Sequence, residues 1–214
     1  IVGGRSLAVI LWLACWAALP AHAAAPNPII WADVPDPDVI RVGNAYYMVS
    51  TTMHFNPGVP VMKSTDLVNW EVVNYAYDVL ENGDRQNLNN GQNEYGQGSW
   101  ASSLRFRNGT YYVVFVSLSS GRTYIYRTTN IEAGPWTRST LNSVYHDPSL
   151  LFDDDGRAYL IYGGDDIRVI ELTADAMAIR PGGLNQVIIP DAGSIAGSGG
   201  LPAEGAHAYK DLNL

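Results

Sequence analysis

The sequence predicts an all-β protein made of repeated small sheets, a β-propeller, and three observations lead there. Beyond residue 25 no amphipathic helix can be traced. The apolar runs are short, rich in Val, Ile, Tyr and Thr, and punctuated by Gly, Asn and Asp, the pattern of short strands joined by tight turns. Finally, the segments 38–49, 103–114 and 149–161 align on one another, each reading strand, Gly-containing turn, Tyr-led strand. Repeats of about 50 to 65 residues with four strands apiece indicate propeller blades. A β-sandwich also accommodates short strands, but it does not call for internal self-similarity.

Each element follows from local chemistry. Asn108-Gly109 and Asp155-Gly156 are hairpin turns, because a type I′ turn needs positive φ at its centre. A third strand and a polar turn follow each hairpin: 59–63 then 64–70, 123–127 then 128–136, and 167–172 then 173–175. The first two turns close on Trp70 and Trp136, residues of a size to plug between neighbouring sheets. Two stretches break the rhythm. Residues 77–99 are polar, rich in Asn, Gln and Gly, and without strand pattern; loops of that length are usually functional or mobile. Residues 181–200 read as a second, Gly-rich connector.

The N-terminus begins at Ile1 and reads as incomplete. Arg5 precedes an apolar run, Leu7 to Leu19, followed by Pro20 and the small-residue site Ala21-His22-Ala23. That is the pattern of a signal peptide over residues 1–23, cleaved after Ala23, and the run is short of the roughly 20 residues that span a bilayer. Residues 24–214 are then a partial propeller domain, secreted or periplasmic, with no membrane attachment after cleavage. Cys15, the one cysteine, departs with the leader, so the exported domain would use no disulfide. A formal net charge of -8 argues against nucleic acid and anionic membranes as partners. Thirteen Tyr and six Trp against 16% charged residues suit aromatic-lined surfaces of the kind that bind sugars.

The candidate chemistry lies at a fixed phase of the repeat. With the second Tyr of each hairpin (Tyr47, Tyr112, Tyr159) as a ruler, Asp36 stands eleven residues before it, Trp100 twelve and Asp147 twelve. The first strand of a blade lines the central channel, so equal phase predicts Asp36, Trp100 and Asp147 at one end of that channel. Glu204 fits the same place at the start of a fourth blade, with 206–210 as its inner strand. Proline steers the preceding residue toward extended geometry, so Asp36 and Asp147 are expected to lead into their strands extended. Converging carboxylates are what glycoside hydrolysis needs, one to protonate the leaving oxygen and one to activate water or attack the sugar, with environments that push their pKa values apart. A metal site is the rival reading. Neither Asp33, Asp36 and Asp38 nor Asp153 to Asp155 shows EF-hand spacing, and the second run reads as a solvated turn. Asp38 alternates with Asp36 and shares its face, either supporting Asp36 or binding substrate.

Taken together, 27–30, 35–38, 57–59, Ser64 to Trp70, Trp100-Ala101, His146 to Leu150 and Glu204-Gly205 resemble glycoside hydrolase family 43, in order and spacing, over essentially all of the chain beyond the leader. The resemblance implies a five-bladed β-propeller, of which about three blades and the start of a fourth are present, so that the chain reads as truncated at its C-terminus. It implies an inverting O-glycosyl hydrolase of the β-xylosidase or α-L-arabinofuranosidase type, acting on plant cell-wall oligosaccharides or polysaccharides. Carried over by motif, Asp36 is the general base, Glu204 the general acid, and Asp147 the third acid, which orients Glu204 and raises its pKa. Phe55 and Trp100 match aromatics placed against the sugar. No cofactor is implied for the chemistry; a structural calcium in the central channel is allowed, with no metal ligand identifiable. The family's Glu-Gly-Pro-His pattern departs at Ala206. An arabinanase and a non-catalytic, carbohydrate-binding propeller fragment remain alternatives. The invertase and fructanase group fits less well, since its second acid usually sits in Arg-Asp-Pro and its third beside Cys.

Overall fold

A computed structural model describes residues 25–53, 56–81, 83–195 and 203–210; the expected leader and Phe55 lie outside the described residues. Three four-stranded antiparallel sheets follow one another along the chain. The first is β1 (Asp38–Val42), β2 (Ala45–Val49), β3 (Gly58–Ser64) and β4 (Glu71–Tyr77). The second is β5 (Ser99–Arg107), β6 (Thr110–Ser117), β7 (Arg122–Thr128) and β8 (Thr137–Leu141). The third is β9 (Ser149–Phe152), β10 (Ala158–Tyr162), β11 (Ile167–Leu172) and β12 (Asn185–Ile189). Each sheet is ordered as in sequence, and the first strands β1, β5 and β9 are spatial neighbours. These are three propeller blades with their first strands side by side. Among the described residues, helix is confined to one turn at Ala192–Ile195 and a 3-10 turn at Asn89–Gly91, and no helix is long and apolar enough to cross a membrane.

The hairpin at Asn108-Gly109 closes as its turn residues require, while Asp155-Gly156 is not the type I′ pair expected: five residues, 153–157, join β9 to β10, and only Gly156 of the pair has positive φ. Asn108 and Gly109 have φ of 49° and 78°, the positive pair of a type I′ turn. The strands then alternate between two cores. Along β6, Val113 and Phe115 face the first sheet, while Tyr112 and Val114 face the third. Burial on both faces explains the near-continuous apolar run of this strand. Phe115 stacks between Tyr124 and Tyr126, at centroid distances of 5.4 and 5.7 Å. Trp136 packs edge-on to Tyr126, wedged against the core shared by the first two sheets. Trp70 differs from this expectation: with Ile30, Met62 and Val72 it lines a cavity of about 440 Å³ formed by the N-terminal segment and the first sheet alone.

The 181–200 stretch is more than a connector, since it holds β12, the outer strand of the third blade. That strand is mostly exposed, so no apolar alternation marks it. The Asp153 to Asp155 turn is likewise more than a solvated tip. Asp153 and Asp154 grip the Lys210 ammonium at 2.6 and 2.7 Å. Together with Ala206 and Ala208, which pack on the core of Tyr159 and Ile161, this pair docks the fourth segment beside the third sheet.

Candidate active site

The register locates the start of each inner strand. Tyr47 pairs with Ile40, Tyr112 with Arg105 and Tyr159 with Leu151. Four residues before each partner stand Asp36, Ala101 and Asp147, and all three have left-handed φ: 49°, 39° and 47°. The repeat is therefore real in the backbone, with two corrections. The aspartates are not extended before their prolines but left-handed, a conformation costing about 1–3 kcal/mol for a residue with a Cβ. The second-blade equivalent is Ala101, not Trp100: Ala101 stands eleven residues before Tyr112, as Asp36 does before Tyr47, and the twelve residues from Asp147 to Tyr159 include one extra turn residue, since Tyr159 pairs eight residues back where Tyr47 and Tyr112 pair seven back.

The fourth segment carries the same conformation at Gly205, φ 71°. By this ruler Glu204 does not take the place of Asp36 and Asp147; Gly205 does, and Glu204 reaches in from the preceding position, as His146 does in the third blade. The Gly205 N–H donates to Asp147 Oδ2 at 3.0 Å. His146 Nε2 lies 2.8 Å from Glu204 Oε2 and 3.7 Å from Asp147 Oδ2. Asp36, Pro37, Asp38, Ala101, Asp147, Gly205, His207 and Tyr209 line one cavity of about 520 Å³. Burial raises the Asp147 carboxyl above its ordinary value; the Glu204 and Asp36 charges add to this, while His146 and the Gly205 N–H oppose it.

Asp38 is buried beneath these acids. Its Oδ2 accepts from the Leu104 N–H at 2.7 Å and the Arg105 guanidinium at 2.6 Å, and its Oδ1 from the Tyr209 hydroxyl at 3.1 Å, with His207 Nδ1 3.4 Å away. Burial alone would raise its pKa, but His207, Arg105 and the Leu104 N–H outweigh it and hold the carboxylate at about 2. Both Asp38 oxygens thus have protein donors, while the residue still lines the cavity.

Of the six residues singled out from sequence, the fold brings Asp36, Asp38 and Asp147 to one cavity and Glu204 against Asp147. Trp100 is half-buried, and its indole Nε1 is buried without a hydrogen-bond partner among the described residues; Phe55 lies outside the described residues. Sequence reasoning missed Thr51, Arg105, His207 and Tyr209. Only Arg105 had a visible signal: a cation at the inner-strand position where the other repeats carry Ile40 and Leu151. His146, Asp147 and Glu204 offer ligand atoms within 4.8 Å of one another. Calcium takes roughly six to eight oxygens, so one imidazole and two carboxylates fit it poorly.

Comparison with known proteins places this arrangement. The chain is 30% identical over 202 residues to a beta-xylosidase of Formosa agariphila, covering 86% of this chain and 32% of the relative. It is 33% identical over 195 residues to a non-reducing end alpha-L-arabinofuranosidase of Bacteroides ovatus, covering 86% and 33%. Among solved structures, a bifunctional GH43-CE protein of Bacteroides eggerthii superposes with a TM-score of 0.82 at 49% identity, over 87% of this chain and 24% of that one. The chain thus spans about a third of the length of these curated relatives, and its three sheets correspond to about three blades of the family's five-bladed propeller. The family model for glycosyl hydrolases family 43 matches residues 25–211, and with it the blades and the acids at their inner-strand starts find their common account: the chain belongs to glycosyl hydrolase family 43.

Proposed function

We propose that the protein of which this chain is part is an exported, inverting glycosidase that releases xylose or arabinose from hemicellulose or its oligosaccharides. The observation that carries this reading is the meeting of Asp36 and Asp147 in one cavity, with Glu204 drawn against Asp147 by the Gly205 N–H and His146. In the proposed step a water oxygen attacks the anomeric carbon and its proton passes to Asp36. The glycosidic C–O bond breaks as Glu204 gives its proton to the leaving oxygen. Water supplies the atoms, and no cofactor is needed for this acid–base chemistry. Asp147, whose carboxyl is raised above its ordinary value by burial, is the acid placed to orient Glu204.

Substrate class is inferred from the relatives' names, a beta-xylosidase and an alpha-L-arabinofuranosidase. Export is inferred from the leader-like residues 1–23. The loop between β4 and β5 is suited to wall a pocket for single pentoses. It is tied down beside Thr52, where the Gly96 and Gly98 N–H groups both donate to Met53 O, and the Leu80 N–H donates to Asn56 Oδ1. The test is release of nitrophenol from nitrophenyl β-xyloside and α-arabinofuranoside by the natural full-length protein. Turnover is expected on at least one, with Asp36→Asn silent; retained turnover in that variant refutes Asp36 as the base.

A further inference from the structure

Asp36 receives a hydrogen bond that its sequence motif does not foretell. Thr51, just past the end of β2, is buried, and its Oγ1 lies 2.7 Å from Asp36 Oδ2. The same oxygen accepts the Ala101 N–H at 2.9 Å, and the Thr51 N–H donates to Pro35 O at 3.0 Å. A hydroxyl carries one proton. With the amide of Ala101 donating to the oxygen and a carboxylate able only to accept, that proton has one destination, Asp36. The relay runs in a single direction, from Ala101 N–H through Thr51 O–H to the carboxylate.

The geometry that makes it possible is costly. Ala101 is left-handed, φ 39°, a conformation that strains a residue with a Cβ. The bulge in β5 between Trp100 and Ser103 accommodates it, and bulges next to active sites commonly re-aim a group. Thr51 is β-branched and so stiff at χ1; pinned at its own N–H and at Oγ1, it presents one orientation.

We propose that Thr51 is a positioning residue that holds Asp36 by Oδ2 and leaves Oδ1 facing the cavity to take the proton of the attacking water. The second blade thereby aims the base carried by the first. This rests on the reading of Asp36 as the general base, and the experiment separates the two.

The natural full-length protein is compared with Thr51→Val, which keeps the shape and removes the hydroxyl, and Thr51→Ser, which keeps the hydroxyl. Misplacing a reacting group by about 1 Å can cost on the order of 100-fold, so Thr51→Val is expected to lower kcat roughly 10- to 100-fold with KM unchanged. Thr51→Ser should recover most of that loss, and thermal unfolding of each variant is recorded beside the kinetics. If Thr51→Val does not fold, Thr51→Ala carries the same expectation. Wild-type kcat in the hydroxyl-free variant, a loss seen in KM alone, or a Thr51→Ser variant as slow as Thr51→Val overturns the proposal. An active Asp36→Asn variant instead overturns the underlying assignment of the base.

Discussion

Arg105 on the second blade donates to Asp38 on the first at 2.6 Å, from a guanidinium whose five N–H groups all have acceptors. Nε donates to Leu150 O, Nη1 to Asp38 and Leu104 O, and Nη2 to Ser149 Oγ and Ala208 O. The cation also lies 4.5 Å over the Tyr209 ring. One side chain thus ties the inner strands of three blades to the fourth segment, two residues below Asp36 and Asp147 in their strands. Removing one partner of a buried ion pair strands the other charge, at about 3–5 kcal/mol. Arg105→Met and Asp38→Asn should each cost that much in denaturant unfolding, and the double variant less than their sum. Arg105→Lys should not restore the loss, because an ammonium cannot reproduce the planar fork.

The same pair predicts an acid limit. The folded Asp38 carboxyl is held at about 2 against an ordinary 3.8. A depressed acid contributes stability that is fully present above the unfolded value and disappears as pH falls through the folded one. That difference corresponds to about 2 kcal/mol, lost between about pH 4 and 2. Unfolding free energies across that interval should fall steeply in the wild type, with a smaller slope in Asp38→Asn.

Asp147 has the opposite sign. Its folded carboxyl keeps its proton to higher pH than the unfolded one, so ionisation as pH rises favours the unfolded chain. Asp147→Asn cannot ionise, yet keeps an acceptor for the Gly205 N–H. It should raise Tm at pH 7 and lose that advantage at about pH 3, where the wild-type carboxyl is protonated in both states. If Asp147 orients Glu204 as proposed, kcat/KM should fall by roughly 100- to 10,000-fold. An active variant would remove Asp147 from the chemistry.

Gly58 begins β3 because nothing larger fits there. A Cβ on it would stand 1.9 Å from the Tyr77 hydroxyl oxygen and 2.2 Å from its Cζ. Tyr77 is buried, its hydroxyl 2.6 Å from Ser99 Oγ and its ring tilted against Phe115. Gly58→Ala must displace that ring from the core between the first two blades, at about 1–3 kcal/mol, read as a lower midpoint in thermal unfolding.

The core predicts a larger effect. Phe115 is fully buried among Tyr77, Tyr124 and Tyr126, and it sits mid-strand in β6, where neighbouring strands on both sides resist collapse. Phe115→Ala should cost about 3–5 kcal/mol, measured by chemical denaturation. A cost under about 1 kcal/mol would mean that the two blades repack across the gap.

Much of this site is legible along the chain, and the parts that are not share a cause. Asn108-Gly109 announces its hairpin and turn type because turn chemistry is local; Asp155-Gly156 marks a hairpin but not its length, since the turn spans residues 153–157. Asp36 and Asp147 stand eleven and twelve residues before their Tyr, and the difference is one extra residue in the turn after β9. Trp100 shares the twelve-residue spacing of Asp147, but that spacing contains the extra turn residue of the third hairpin, so Ala101 is the equivalent residue, and hydrogen-bond register rather than residue count decides it. Glu204 was placed one position off for a similar reason: Gly205 occupies the left-handed corner, and the glutamate reaches in from beside it. The outer strand β12 escaped notice because both its faces are largely exposed. Thr51 escaped because its role lies in two partners, Asp36 and Ala101, that are distant in sequence.

By itself the sequence determined the first three strands of each repeat, where their hairpins fall, and that Asp36 and Asp147 precede the inner strands, since each of these rests on short-range patterning of apolar, Tyr, Gly and Asx residues. Tertiary structure decided how those acids are held. Asp38 becomes an anchor only because Arg105 arrives from another blade. Asp36 acquires an orientation only because Ala101 turns left-handed beside Thr51, and Glu204 meets Asp147 only where the fourth segment docks on the third sheet. Hydrogen bonds across blades depend on register and on strained backbone at strand starts, and those are set by the packing of sheets against one another.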